Sequence, residues 1–572
     1  MQKHTWMWAA LALLAVSAET PAAISGVVVD DGTGQPIAGA EVRVQADPSS
    51  PVVLTNAAGQ WTINIAPPAG VNLAASVRYN HSSNINYVTN TAFAVNGNTG
   101  IEIRLPRLPV ASNNSYVPPT SQLCGACHID QAEQWSTSRH AGAARNEWVL
   151  DLHSGTGTPG GGAGYVFTQT HDPGETGFCA TCHAPMQDVF TPGQLQLNQA
   201  TTPHGQDGVG CLACHQIADV DVGQIQGLHH VGGKTDYRFP DPTEHPTAFY
   251  VFGALPDVDA GFMRNIYNPL FEQPLLCASC HQYNNPETGV SGQNTYFEWL
   301  ASPYAQPGPG FRTCQNCHMP NETTPGVLAT TSSVERPPSQ RHRHTFIGAT
   351  PTTLSGAILL RISAREQAGQ IVVDAEVENR GAGHAFPTGI AIRNAILSMD
   401  VRLDGQPLTQ VGGPNIPWWA NDEVPGTQPG DLAGLPGKGF AKVLEGRING
   451  QGPVVRPVLF IDGERVAEDS VIPSGQTDRS TYRFQIPQGT PVGRNISVDA
   501  RLLYRRAWRA LAVTKGWTQT PGGMPIEIQV AQAQATLATQ GTSAVGIPSL
   551  NWWSIGLLVS ALGLAGIAVL RR

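Results

Sequence analysis

All ten cysteines of this chain fall in five copies of one string, Cys-x-x-Cys-His, and nothing else in the sequence constrains its folding as strongly. The copies are Cys124-Gly-Ala-Cys127-His128, Cys179-Ala-Thr-Cys182-His183, Cys211-Leu-Ala-Cys214-His215, Cys277-Ala-Ser-Cys280-His281 and Cys314-Gln-Asn-Cys317-His318. Two thiols three residues apart on a helical turn can form thioethers with the two vinyl groups of one porphyrin, while the next residue turns its imidazole onto the iron. The spacing predicts five covalently bound haem c groups, with the ten cysteines as attachment points and His128, His183, His215, His281 and His318 as proximal iron ligands. Four-thiolate zinc centres need half-sites in pairs, which an odd number cannot supply, and they give no reason for a histidine after every second cysteine. A redox-active dithiol would explain one copy, not five.

At 572 residues the chain exceeds one compact core. Its 62 glycines, 45 prolines and 13% charged residues favour β-sandwiches and cofactor-packed loops over helical bundles. Lys3, an apolar run from Trp6 to Val16 and the small residues Val16-Ser17-Ala18 read as a secretory signal over residues 1–18. At the other end Trp552 to Leu570 carries no charge and stops at Arg571-Arg572, which suits a transmembrane helix over 551–572 with its arginines on the cytoplasmic side. Together these ends predict an extracytoplasmic, cell-envelope protein, facing the periplasm from an inner-membrane anchor or sorted to the cell surface. A formal charge of −9, before any propionates are counted, argues against a nucleic-acid partner.

Three segments lie between the ends. Residues 24–109 hold no cysteine, and Val42/Val44 and Trp61/Ile63/Ile65 alternate with polar residues between turns at Asp31-Gly32 and Ala58-Gly59, as in a β-sandwich. Residues 117–346 hold every motif. So little polypeptide per porphyrin cannot give each its own core, so a mostly α and irregular cytochrome domain must use packed haems as its core, their edges close enough for electrons to hop. Alternation returns in Ile371/Val373/Ala375/Val377, Leu397/Met399/Val401/Leu403, Tyr482/Phe484/Ile486 and Ile496/Val498/Ala500/Leu502/Tyr504, predicting a second sandwich over 350–531. A Gln/Ala/Thr/Ser-rich stretch over 532–550 then reads as a linker.

Several of these segments resemble known families. Gly26-Val-Val-Val-Asp30, Thr33-Gly-Gln-Pro36, Gly39-Ala40 and Thr55-Asn-Ala-Ala-Gly59 are similar to the carboxypeptidase-regulatory-like β-sandwich, which implies a structural or adhesive module. Ile547-Pro-Ser-Leu-Asn-Trp552, the apolar helix and the paired arginines resemble a C-terminal sorting signal of the Ile-Pro-Thr-Leu type, with Ser549 in place of threonine. The first motif followed by Trp135-Ser-Thr-Ser-Arg-His140-Ala141 resembles the family of the tetrahaem electron acceptor of hydroxylamine oxidoreductase.

Haems that only carry electrons need a second strong ligand on the far face of the iron. Nine non-proximal histidines fall within 117–346, enough to predict bis-histidine ligation of most haems. The family resemblance implies distal ligands at His140, at His204 before Gly208-Val-Gly-Cys211, and at His344 in Arg343-His-Thr-Phe346. His384, in Gly381-Ala-Gly-His-Ala-Phe-Pro-Thr-Gly389, matches a string of related multihaem cytochromes with C-terminal β domains, and is expected to reach an iron across a domain interface. His171 is a further candidate ligand, and one of His229, His230 and His245 is expected to be another. His81, His153 and His342 read as exposed, and Met186 and Met319 as packing against porphyrin.

Saturated irons favour an electron carrier, exchanging electrons with redox proteins as donors and acceptors, over an enzyme. An enzyme acting on a small nitrogen or sulfur species at one five-coordinate haem is the alternative. Pentahaem nitrite reductases, similar in haem count, mark their catalytic haem with a proximal lysine, whereas every motif here ends in histidine. Hydroxylamine oxidation would call for a crosslinked tyrosine, for which Tyr283 is the candidate. A subunit of a surface cytochrome filament is a third reading, which the β domains and tail helix would obstruct.

Overall fold

The computed structural model describes residues 22–540, apart from 66–69, 114, 226–233, 242–248, 259–260, 286 and 423–427. The signal segment and the apolar tail lie outside the described residues. Among those described, no helix is long and apolar enough to cross a membrane.

The first segment is a seven-stranded sandwich of β1 (Ile24–Asp30), β2 (Glu41–Val44), β3 (Val53–Leu54), β4 (Gln60–Ile63), β5 (Val71–Ser76), β6 (Asn90–Ala94) and β7 (Ile101–Leu105). One sheet runs β4-β1-β7, the other β3-β2-β5-β6. Period-two patterning puts Trp61 and Ile63 inside, against Ile24, Val28, Leu73 and Leu105, while Gln60 and Thr62 face solvent. Gly59, predicted at a turn, has φ +71°, and a Cβ there would stand 2.6 Å from the Val28 carbonyl oxygen, so only glycine fits.

The middle segment is built from helices of four to eight residues and three strand pairs: β8 (Ile217–Val220) with β9 (Thr235–Tyr237), β10 (Phe249–Gly253) in parallel with β11 (Met263–Tyr267), and β12 (Tyr283–Asn284) with β13 (Ser291–Gln293). Its apolar clusters are small and separate, as expected where a protein leaves the centre to cofactors.

The C-terminal sandwich packs the sheet β14 (Ile358–Gln367), β15 (Gln370–Asn379), β21 (Thr477–Gln485), β18 (Thr409–Gly412) on a second sheet. That sheet is ordered β20 (Arg465–Asp469), β19 (Gly437–Glu445), β16 (Asn394–Leu403), β22 (Asn495–Arg505), β23 (Glu527–Ala538), with β17 (Gln406–Pro407) paired to β16. The alternating residues of β15, β16, β21 and β22 form one core. The predicted boundary at 531 needs correction, because β23 runs on to Ala538, pairing β22 throughout. Ala531, Ala533, Ala535 and Leu537 pack on the core while Gln532 and Gln534 face out. An edge strand with small inward residues has the same composition as a linker, so only its pairing reveals it.

The two sandwiches meet the middle segment differently. The N-terminal one contributes Val88 and Leu108 to a small cluster with Phe252 and Ile266, and the buried Asp257 carboxylate accepts from Ala46 N at 2.6 Å and Arg336 at 2.8 Å. From the C-terminal one, Trp517 stacks on Trp148 with ring centres 4.4 Å apart and donates to Asp151 at 2.7 Å. The buried Lys515 ammonium donates to the carbonyls of Asp151, Gly161 and Tyr165 at 3.1, 2.6 and 2.7 Å.

Candidate haem-binding centre

Four of the five motifs carry both cysteines and the histidine on a short helix: Cys179–His183, Cys211–His215, Leu275–His281 and Cys314–His318. In the first motif Cys124 lies in the last turn of a helix over Ser121–Gly125, and His128 caps the next, Ile129–Ser136. Each motif histidine is held by its Nδ1. That nitrogen lies 2.8 Å from Leu328 O in His128, 3.0 Å from Ala143 O in His183, 2.8 Å from Phe252 O in His215 and 2.5 Å from Ile347 O in His318. In His281 it lies 3.1 Å from the Gln293 amide. A carbonyl on Nδ1 fixes the tautomer with its proton there and leaves Nε2 as the free donor to a metal.

Three of these rings face a second imidazole. Ring centres are 6.3 Å apart for His281 and His140, 6.5 Å for His215 and His344, and 6.4 Å for His318 and His384. Two imidazole nitrogens bound to one metal ion at about 2 Å each put their ring centres about 6.3 Å apart. The spacing therefore fits an axial pair across a haem, one from each of three motifs. His344 and His384 also keep Nε2 free, since their Nδ1 atoms lie 3.0 Å from the carbonyls of His342 and Ala385. His140 Nδ1 is buried without a hydrogen-bond partner.

Chain elements distant in sequence converge on these pairs. The segment after the first motif brings His140 to His281 of the fourth and is held beside the third, where Trp135 Nε1 donates to the Val209 carbonyl at 2.8 Å and Val209 N donates to the His140 carbonyl at 3.0 Å. His384 sits in the loop after β15, tied down by Asn379 Nδ2 on its carbonyl at 2.8 Å and by Glu298, which accepts from Ala385 N at 3.3 Å and Thr388 Oγ1 at 2.5 Å.

Burial keeps these imidazoles neutral, as a metal ligand must be. Burial, helped by neighbouring imidazoles, pushes His140, His344 and His384 down to about 4 and His281 to about 3. It also lowers His183 and His215. Thiols of different motifs neighbour one another, Cys124 with Cys211, Cys182 with Cys280 and Cys277 with Cys314, and this proximity together with burial pushes the Cys124, Cys182 and Cys277 thiols up. Phe346, at φ +45°, costs about 1 kcal/mol or more of backbone strain.

The remaining histidines divide. His171 is committed elsewhere than an iron: Nε2 lies 2.9 Å from Asp462 Oδ1, Nδ1 lies 3.0 Å from Thr170 Oγ1, and the ring stacks on Phe167. Its acid partner also accepts from Tyr165 OH at 2.9 Å and comes from the C-terminal domain, 291 residues away, out of reach of local sequence reasoning. His153, expected outside, is 1% exposed with Nε2 on Gln196 at 2.9 Å. His342 is half-buried, with Nδ1 2.9 Å from Met319 O, whereas His81 is at the surface beside Asp236. His204 is half-buried on a short helix, Pro203–Gln206, and faces none of the described rings. His229, His230 and His245 lie outside the described residues. Met186 is buried against Leu212 and Ala213 of the third motif. Tyr283 Oη is buried without a partner, beside Phe460.

Residues 123–216 match the family model described as cytochrome c554 and c-prime, and residues 23–106 match the carboxypeptidase regulatory-like domain. With the five motifs, the first match defines a multihaem cytochrome c-like electron-transfer segment following a carboxypeptidase-regulatory-like module. Among curated proteins none matches the sequence. Among solved structures, a penta-heme cytochrome c552 from Thermochromatium tepidum is similar at 20% identity and TM-score 0.47, covering 73% of this chain and 99% of that one. AvmM, which catalyses macrocyclization in alchivemycin A biosynthesis, matches at 13% identity and TM-score 0.15 over 33% of this chain and 92% of that one.

Proposed function

We propose that the protein is an electron carrier of the cell envelope that holds five haem c groups and passes electrons between redox-protein donors and acceptors. Each haem, when bound, supplies one-electron exchange between ferric and ferrous iron. The ten motif cysteines attach the groups, and His128, His183, His215, His281 and His318 bind their irons from one side. On this reading His140, His344 and His384 close the far faces of the fourth, third and fifth haems respectively. The carrying observation is that three motif imidazoles each meet a second ring at 6.3 to 6.5 Å, two of them, His215 and His318, with a carbonyl on Nδ1 that leaves Nε2 free. The neighbouring thiols of different motifs support haems attached near one another, as electron hopping requires. The tail helix would anchor the body to the membrane or direct its sorting. Intact mass of the mature protein tests the count: five haem increments on a chain lacking residues 1–18 are expected, and four or fewer overturn it.

A second reading has an observation of its own. Among the described residues, His128 and His183 face no second imidazole. His204 and one of His229, His230 and His245 supply those ligands in a pure carrier. If one iron instead stays open, the protein is a redox enzyme for a small molecule, and the oxidised parent shows a high-spin signal that shifts with added nitrite or cyanide.

A further inference from the structure

Six imidazoles make up the three facing pairs, and five of them have a hydrogen bond on Nδ1 that fixes the rotation of the ring. His140 is the exception. Its Nδ1 is buried and unpartnered, so packing alone sets its orientation. The ring that packs on it is Phe346, edge-on with centres 4.3 Å apart and planes 60° apart. Phe346 also stands perpendicular to His344, at 6.0 Å and 89°. One aromatic ring thus touches the second imidazole of two different pairs.

The short segment around it serves a third motif as well. The Ile347 carbonyl takes the His318 Nδ1 contact at 2.5 Å, and Ile347 N returns a bond to His318 O at 3.3 Å. The left-handed turn at Phe346, φ +45°, separates the directions of His344, Phe346 and Ile347 so that each reaches a different motif. The pairs differ in one respect that follows from this arrangement. His140 and His281 lie 52° apart in plane, against 23° for His215 and His344 and 14° for His318 and His384.

We propose that Phe346 is a positioning residue for electron transfer, its ring holding His140 rotated away from the plane of His281 so that the fourth haem has axial geometry unlike that of the third and fifth. This rests on the ligation reading above. Groups around an axial ligand orient it and tune the metal, and in low-spin ferric haem the angle between axial imidazole planes sets the spread of g-values, a wide angle giving the largest. The fourth haem therefore contributes the low-spin signal with the highest leading g-value of the three.

EPR of the oxidised full-length holoprotein tests this with three substitutions of Phe346 and one of His140. Phe346→Ala, and Phe346→Gly, which removes the ring while suiting the left-handed backbone, are each expected to move that signal to a lower leading g-value or broaden it. The His318/His384 signal should stay put and all five haems should remain. Phe346→Tyr keeps the ring and should restore the parent signal. If both ring-deleting variants leave every g-value unchanged, or if the tyrosine variant behaves as they do, Phe346 does not position His140. His140→Ala separates the two ideas: it should turn the same signal high-spin, and if it does so while the Phe346 variants are silent, only the positioning proposal falls. If His140→Ala leaves the spectrum as in the parent, the ligation reading falls with it.

Discussion

The two β-sandwiches are alike in architecture and unlike in what they do for the segment between them. The N-terminal one closes its own core around Trp61, Ile63 and Leu73, and touches the middle segment through a small apolar cluster and the Asp257 bonds. The C-terminal one sends a loop into the middle segment, setting His384 opposite His318, and locks it with Lys515, Trp517 and Asp462. Under the proposed ligation, a domain with no haem motif can be a spacer or part of a haem site, and the distinction lies in one loop, not in the fold.

The sharpest way to break that comparison is His384→Ala. In the full chain it should convert one low-spin haem to high-spin and let it bind carbon monoxide after reduction, with no haem lost, because the thioethers and His318 remain. A visible spectrum identical to the parent would make the C-terminal sandwich a spacer like the other.

Lys515→Met should have a smaller effect on the same interface. It leaves three buried carbonyls without their donor, costing about 2–3 kcal/mol of docking stability. The high-spin species should then appear on mild heating, at a lower temperature than in the parent, and coincident heating curves would show that Lys515 does not secure the docking.

Trp61→Ala should have the smallest effect on the haems. Truncating this core ring should destabilise the N-terminal sandwich by about 3–5 kcal/mol, visible in calorimetry, while every haem band stays where it is. A change of spin state in this variant would give the N-terminal module a share in the site.

Much of this arrangement was legible in the sequence, for particular reasons. The five motifs declare themselves because haem attachment needs its residues contiguous, and the sandwich strands do so because burial on one face enforces period two. His140, His344 and His384 could be picked out by resemblance, but not the motif each one faces, since those pairings join residues brought together only by the fold. His171 was misleading for the same reason: its partner Asp462 is 291 residues away, and position near Cys179 carried no information about it. The end of the C-terminal domain was missed because alanines alternating with glutamines in β23 have the composition of a linker. Phe346 stood in the sequence only as the end of the Arg343-His-Thr-Phe346 string, and neither its left-handed backbone nor its contact with His140 leaves a mark in local sequence.

The central claim is that three of the haems are closed by histidines from elsewhere in the chain, and near-infrared magnetic circular dichroism of the oxidised holoprotein tests it most directly, because its charge-transfer band reports axial ligand type. At least three of the five irons should give the bis-imidazole low-spin band, and single alanine substitutions at His140, His344 and His384 should each remove one iron's share of it. Fewer than three such irons in the parent, or an undiminished band in all three variants, would contradict the account.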